Sequence, residues 1–348
     1  MSTIYDVITP EFTAVRWTET AEDRVPYLLE AFFPDETQLG IELTYFKGKQ
    51  PKVRPLDLSA FDVPALPLAR EAFEKVTTEM PFFKNKMAMN EKIRQELIKV
   101  LATNNQAYID AVLNKVYNDN KKLLDDARVT REVMRAMLLT TGIIAFSSNG
   151  QSIGYDYEVP AENKVTASWS DPKTSDPIKD IIEYQDMVEA NTGVRPTNLV
   201  MNRASFAKLK ASEAIRNSLL VLTSVIGGAV STLNDSKVKS YILDETGCTI
   251  YIYDKGYYDK DTKAFKKFIP DNVFALFPDG ALGKTVFGTT PEEADLMSGT
   301  DAVVEIVDTG VAITTWKEVD PVRVDTKVSM ISVPTLEMPD SLVIGSIA

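Results

Sequence analysis

From Asn105 to Gly142 the apolar residues Ile109, Val112, Leu113, Val116, Leu123, Leu124, Ala127, Met134, Met137 and Leu138 recur at steps of three and four. That is the period of one helix face. No proline or glycine interrupts the run before Gly142, and the polar patch NDNKK at 118–122 is where any bend or break would fall. An unbroken helix over 105–142 would span about 55 Å at 1.5 Å per residue. That exceeds the usual globular helix and suits a beam better than a core element.

A second helix is marked at both ends in SDPIKDIIEYQDMVEANTG, 175–193. Asp176 suits the N-cap, Pro177 the first turn, and Gly193 the stop. A third is read in RASFAKLKASEAI, 203–215. Short β-branched and aromatic runs mark strands at TNLVM (197–201), CTIYIYD (248–254), VFALF (273–277), KTVFG (284–288), AVVEIV (302–307), VAITTW (311–316) and KVSMISVPTL (327–336). GYDYEVP and NKVTASW, between the two long helices, add two more. Near the N-terminus IELTYF reads as a strand, KGKQP as a turn and KVRPL as a returning strand. The fold class is α+β: an arm, an extended β-hairpin, a long helix, then a mixed domain whose last strands return beside that helix.

Charge changes the picture at the hairpin. Up to Glu42 the chain carries nine acids against Arg16 and Arg24, a balance of −7. Residues 43–56 then carry Lys47, Lys49, Lys52 and Arg54 with no acid. Two strands alone in water are marginal and need a surface to lie on. A solvated hairpin is one reading. The other is a clasp laid on a neighbouring subunit, with Glu19, Glu22, Asp23, Asp35 and Glu36 as its acidic counterpart.

Over its 348 residues the chain has a net charge of −12, no histidine and one cysteine, Cys248. The charge disfavours a nucleic-acid surface and an anionic membrane. Without histidine there is no Ser-His or Cys-His catalysis and no histidine metal ligand. Cys248 has no disulfide partner and reads as a small buried strand residue of a chain made in a reducing cytoplasm. The first residues, MSTIYDVITPEF, do not resemble a secretory signal, and no apolar run reaches membrane-spanning length.

Three stretches imitate catalytic motifs. FPDGALGKTVFG, 277–288, matches the end of a phosphate-binding loop at Gly283, Lys284 and Thr285. Pro278 stands where the first glycine should be and offers no N–H to phosphate. SFAK, Ser205 to Lys208, matches a Ser-x-x-Lys nucleophile without its companion motifs. Asp308-Thr309-Gly310 resembles one half of an aspartic protease site and equally a hairpin turn. Asp254, Asp259 and Asp261 cluster without calcium-loop spacing. No catalytic, cofactor-binding or metal-binding residue is assigned.

Several segments, in order along the chain, resemble the major capsid protein of tailed bacteriophages, the lambda-like capsid protein E family. The hairpin at 39–56 is similar to its extended E-loop, and the beam at 105–142 to its spine helix. SDPIKDIIEY (175–184) is similar to an aspartate-proline helix start. Pro270-Asp271-Asn272 before a strand resembles a signature of the family. So do the step Asp320-Pro321-x-Arg323, the run SVPTL and the pair Pro339-Asp340. The resemblance implies the Hong Kong 97 fold, with an N-terminal arm (1–38), an E-loop and return (39–80), a peripheral domain (81–175), an axial domain (176–315) and C-terminal strands returning to the peripheral domain (316–348). It implies a non-enzymatic shell subunit that forms hexamers and pentamers of an icosahedral shell around double-stranded DNA. The partners implied are copies of itself, a scaffold, a portal and a decoration protein, with no membrane. The place implied is the virion capsid, assembled in the host cytoplasm. The alternatives are an encapsulin-type nanocompartment, a tail-tube or connector subunit, and a phosphate-binding enzyme using the 278–285 loop.

Overall fold

The computed structural model describes residues 9–22, 24–47, 74–89, 91–102, 106–148, 150–225, 233–260, 262–295, 303–307, 309–320 and 322–348. In chain order the elements begin with α1 (Pro10–Glu19), β1 (Asp35–Thr37), β2 (Glu42–Lys47), β3 (Glu74–Glu79), β4 (Phe82–Met89), α2 (Glu91–Ala102) and α3 (Gln106–Thr141). Next come β5 (Ile143–Ser148), β6 (Gln151–Asp156), β7 (Lys164–Ala167), α4 (Pro177–Thr192), β8 (Asn198–Met201), α5 (Arg203–Ala211), α6 (Glu213–Val225) and α7 (Asp235–Thr246). The remainder is β9 (Thr249–Ile252), β10 (Gly256–Asp259), β11 (Ala264–Lys267), β12 (Val273–Phe277), β13 (Thr285–Phe287), α8 (Pro291–Asp295), β14 (Val303–Val307), β15 (Val311–Val319), β16 (Val322–Pro334) and β17 (Val343–Ile347).

The beam is continuous. α3 runs 36 residues through NDNKK without a break, because Asn120 is buried and donates from Nδ2 to Thr13 Oγ1 at 2.9 Å. Gly142 stops it at φ 74°, where the β-carbon of any other residue would lie 2.7 Å from Val159.

The chain divides into two compact units. The first comprises residues 1–44, 77–134 and 284–335. Its sheet runs β1-β13-β16-β15-β14, and β4 also pairs with the long strand β16. β1 is parallel to β13, with Glu36 opposite Val286. Trp17 of α1 and Leu123, Leu124 and Ala127 of α3 pack with Phe287, Val311, Ile313 and Met330 of the sheet. The expected arm therefore folds onto this unit from Thr9 onward. The Thr9 hydroxyl accepts from Phe12 N at 3.1 Å, Pro10 takes the first helical turn, and Trp17 is buried.

The second unit comprises residues 45–76, 135–283 and 336–348. Its sheet runs β7-β17-β12-β8-β9. Its helices lay Ile181, Val188, Phe206, Leu209, Val238 and Ile242 against Leu199, Met201, Phe274 and Leu276. Asp176 caps α4 by accepting from Lys179 N at 3.3 Å, and Gly193 ends it at φ 76°. Ser212 divides the single helix expected at 203–215 into α5 and α6: its backbone leaves helical geometry and its hydroxyl donates to Ser175 O at 2.7 Å. In the Pro-Asp-Asn turn Asn272 sits at φ 63°, and the Asp271 carboxylate accepts from Asn202 Nδ2 at 2.6 Å.

Strand membership differs from the sequence expectation in two places. β13, β14 and the start of β15, placed in the axial segment by sequence, belong to the sheet of the first unit. The last strand β17, expected beside the long helix, joins β12 and β7 in the second. Periodicity shows that a run is a strand, but pairing depends on long-range packing that no local window contains.

Candidate assembly surface

The basic ribbon begins with a strand where one is expected. β2 pairs with β3, so residues 48–73 lie between the two strands. Glu74–Glu79 pairs with β2, while KVRPL, expected as the returning strand, falls outside the described residues. Lys47 ends β2, while Lys49, Lys52 and Arg54 fall outside the described residues. The foot of the ribbon is firmly held. Leu43 is fully buried, Met80 N donates to Ile41 O at 2.8 Å, and Thr289 N donates to Gly40 O at 3.0 Å.

The acidic counterpart is divided among different partners. Glu36 on β1 lies 2.5 Å from the Lys284 ammonium, and Asp35 lies 3.9 Å from Arg131. Glu19 and Glu22 are exposed, and Asp23 is outside the described residues. Two of the five acids thus have cationic neighbours within the first unit, and Glu19 and Glu22 face solvent.

Beside them is a cleft of about 410 Å³ lined by Arg24, Arg128, Arg131, Glu30 and Asp35 among others. Arg128 donates to Glu30 at 3.5 Å and lies over the Tyr27 ring, while Arg24 covers Trp17 at 3.9 Å. Burial pushes the Asp125 carboxyl up, against the pull of Lys121 and Arg128. It pushes the Tyr27 hydroxyl up as well, against Arg128. Sequence reasoning missed Arg128 and Arg131 because it followed only the apolar face of α3. Their signal was their spacing of three residues on that helix.

The described residues of the motif imitations have structural partners. Gly283-Lys284-Thr285 leads into strand β13, so no helix N-terminus faces a phosphate. Thr285 donates its hydroxyl to Phe33 O at 3.0 Å. Ser205 donates to Val273 O at 3.3 Å and Lys208 to Ser170 Oγ at 2.8 Å, so the two do not form a nucleophile–base pair. Thr309 and Gly310 belong to the turn that joins β14 to β15, and Asp308 is outside the described residues. Asp254 accepts from Arg203 and Asp259 pairs with Lys266. Among the described residues no three acids or cysteines gather around a metal position. Among the same residues, no helix is long and apolar enough to cross a membrane. Cys248 is buried, and burial pushes its thiol up, away from the reactive thiolate.

Comparison with known proteins gives the scaffold a family likeness. The family model described as phage major capsid protein E matches residues 16–347. A solved structure of a candidate prophage capsid protein from E. coli CFT073 superposes with a TM-score of 0.61 at 15% identity, covering 98% of this chain and 99% of that one. A phage-related protein from Bordetella bronchiseptica RB50 superposes with a TM-score of 0.57 at 12% identity, covering 97% of each chain. A search of curated proteins returned no match.

Proposed function

Because the chain belongs to the phage major capsid protein E family, and is thus a phage shell protein, we propose the way it builds that shell. Copies associate into hexamers and pentamers that close an icosahedral head around double-stranded DNA. The observation that carries this reading is the family match over residues 16–347. The shell role is structural, as the family match implies.

The ribbon that starts at β2 acts as the E-loop, a clasp reaching a neighbouring copy with Lys47, Lys49, Lys52 and Arg54. Its counterpart is the exposed pair Glu19 and Glu22, since Asp35 and Glu36 lie near Arg131 and Lys284. Clasp charges of this kind set register and encounter rate more than affinity. The first unit, with most of α3, serves as the peripheral domain and the second as the axial domain. A net charge of −12 keeps the lining from trapping the genome, whose phosphates would bind a basic wall. A scaffold, a portal and a decoration protein complete the set of partners, and assembly takes place in the host cytoplasm.

The test is electron microscopy of the purified chain and of a Lys47→Glu, Lys49→Glu, Lys52→Glu, Arg54→Glu variant. The wild type should give closed shells. The variant should keep its circular dichroism spectrum and lose shells in a salt-sensitive way. Closed particles from the variant would remove the clasp.

A further inference from the structure

One ribbon in the second unit shows an apolar face to solvent. β10 and β11 pair antiparallel with Tyr258 opposite Phe265, and residues directly opposite share a face. These two aromatics are 63% and 65% exposed. The Phe265 ring reaches Gly256, where a β-carbon would come within 2.7 Å of it. The other face is anchored: Tyr257 stacks on Phe268 at 5.7 Å, and Phe268 on Tyr253 at 5.7 Å. The ribbon is therefore held in place while it presents two adjacent aromatic rings to water. The tip carries Lys260 and Lys263 beside Asp259, which pairs with Lys266, and Lys267, on the aromatic side opposite Gly256, pairs with Asp271 at 2.8 Å.

The same unit carries a surface of opposite charge. From Asp176 to Arg195 there are five acids against two bases. Glu183 and Asp186, one turn apart on α4, are exposed, and half-buried Ile182 adjoins them. Arg195 sits 2.7 Å from Asp186 and 2.6 Å from Glu189, which fixes the far end of this face.

We infer that the aromatic face of the β10–β11 ribbon docks on the acidic face of α4 in a second copy of this chain. This rests on the shell reading and names one contact within it. Charge complementarity selects the partner: the exposed Lys260 and Lys263 border the aromatics, and the exposed Glu183 and Asp186 border Ile182. A contact between two different patches is head-to-tail, and it builds a ring where its rotation closes. Aromatic residues at the centre of a contact with charges at its rim form the usual anatomy of a protein interface. An aromatic, basic ribbon also resembles a stacking platform for single-stranded nucleic acid, and the test separates that case.

The full chain is purified and followed by sedimentation and negative-stain microscopy. Wild type that stays monomeric at all concentrations overturns the shell reading and this contact with it. If wild type assembles, Tyr258→Ser with Phe265→Ser should raise the concentration needed for assembly about tenfold, with the thermal midpoint little changed. Lys260→Glu with Lys263→Glu, at the exposed tip, should do the same. Adding Glu183→Lys and Asp186→Lys to that charge variant should restore assembly. Unchanged assembly in both ribbon variants overturns the contact while leaving the shell reading intact. Loss without rescue overturns α4 as the partner, and loss only of bound oligonucleotide, with assembly normal, assigns the ribbon to nucleic acid.

Discussion

Lys284 holds its ammonium 2.5 Å from the Glu36 carboxylate, joining the start of β13 to the parallel strand β1. The lysine that makes 277–288 look like a nucleotide loop is a strand-edge partner. Both side chains are nearly half exposed, so the pair contributes about 0.2–1 kcal/mol. Thermal melts with ATP or GTP and magnesium should leave the midpoint unmoved, and Lys284→Ala should cost no more than that. A nucleotide-dependent rise abolished by Lys284→Ala would reinstate phosphate binding.

Gln185 is the polar centre of the second unit. Its buried Nε2 donates to Pro196 O at 2.7 Å and Thr246 O at 2.9 Å, and lies 3.1 Å from Cys248 Sγ. Gln185→Leu leaves two buried carbonyls without this donor and should cost about 2–3 kcal/mol in urea unfolding. A change under about 0.5 kcal/mol would show that other donors take over.

Gly345 faces Phe274 across β17 and β12, and a β-carbon there would lie 2.0 Å from the ring. The ring also stacks on Trp169 at 4.6 Å and cannot simply move aside. Gly345→Ala should cost about 3 kcal/mol. Adding Phe274→Leu should recover part of it, because the two sites share one space. Strictly additive losses would mean the clash is not what the alanine disturbs.

Glu292 sets an acid limit on the first unit. Burial alone raises its carboxyl, but the Lys327 ammonium, its own backbone amide and the Ser329 hydroxyl, donating at 2.9 Å, outweigh burial and lower it. A carboxyl lower in the folded than in the unfolded chain stabilises the fold above the unfolded value, about 4.3. That contribution is lost as pH falls through the folded value. Glu292→Gln should therefore lose about 1–3 kcal/mol at pH 7, and the gap to wild type should close toward pH 3. A gap constant with pH would contradict the assignment.

These sites show what the chain reveals before it folds. The beam and α4 were legible because period, cap and stop coincide within a short window, as with Asp176, Pro177 and Gly193. Thr9 and Pro10 carried the same signals for α1, yet the surrounding acids suggested an arm; burial of Trp17 settled the matter. Strand runs were visible, but not which sheet each would join, as β13 and β17 show. The arginine cleft depends on Glu30 and Asp35 meeting α3 across about a hundred residues of chain. No local pattern encodes that meeting.

The central claim is that this chain completes its surface with copies of itself, and negative-stain microscopy of the purified wild type over a concentration series tests it most directly. The account predicts closed, uniform shells above a threshold concentration. A solitary monomer at every concentration would contradict it.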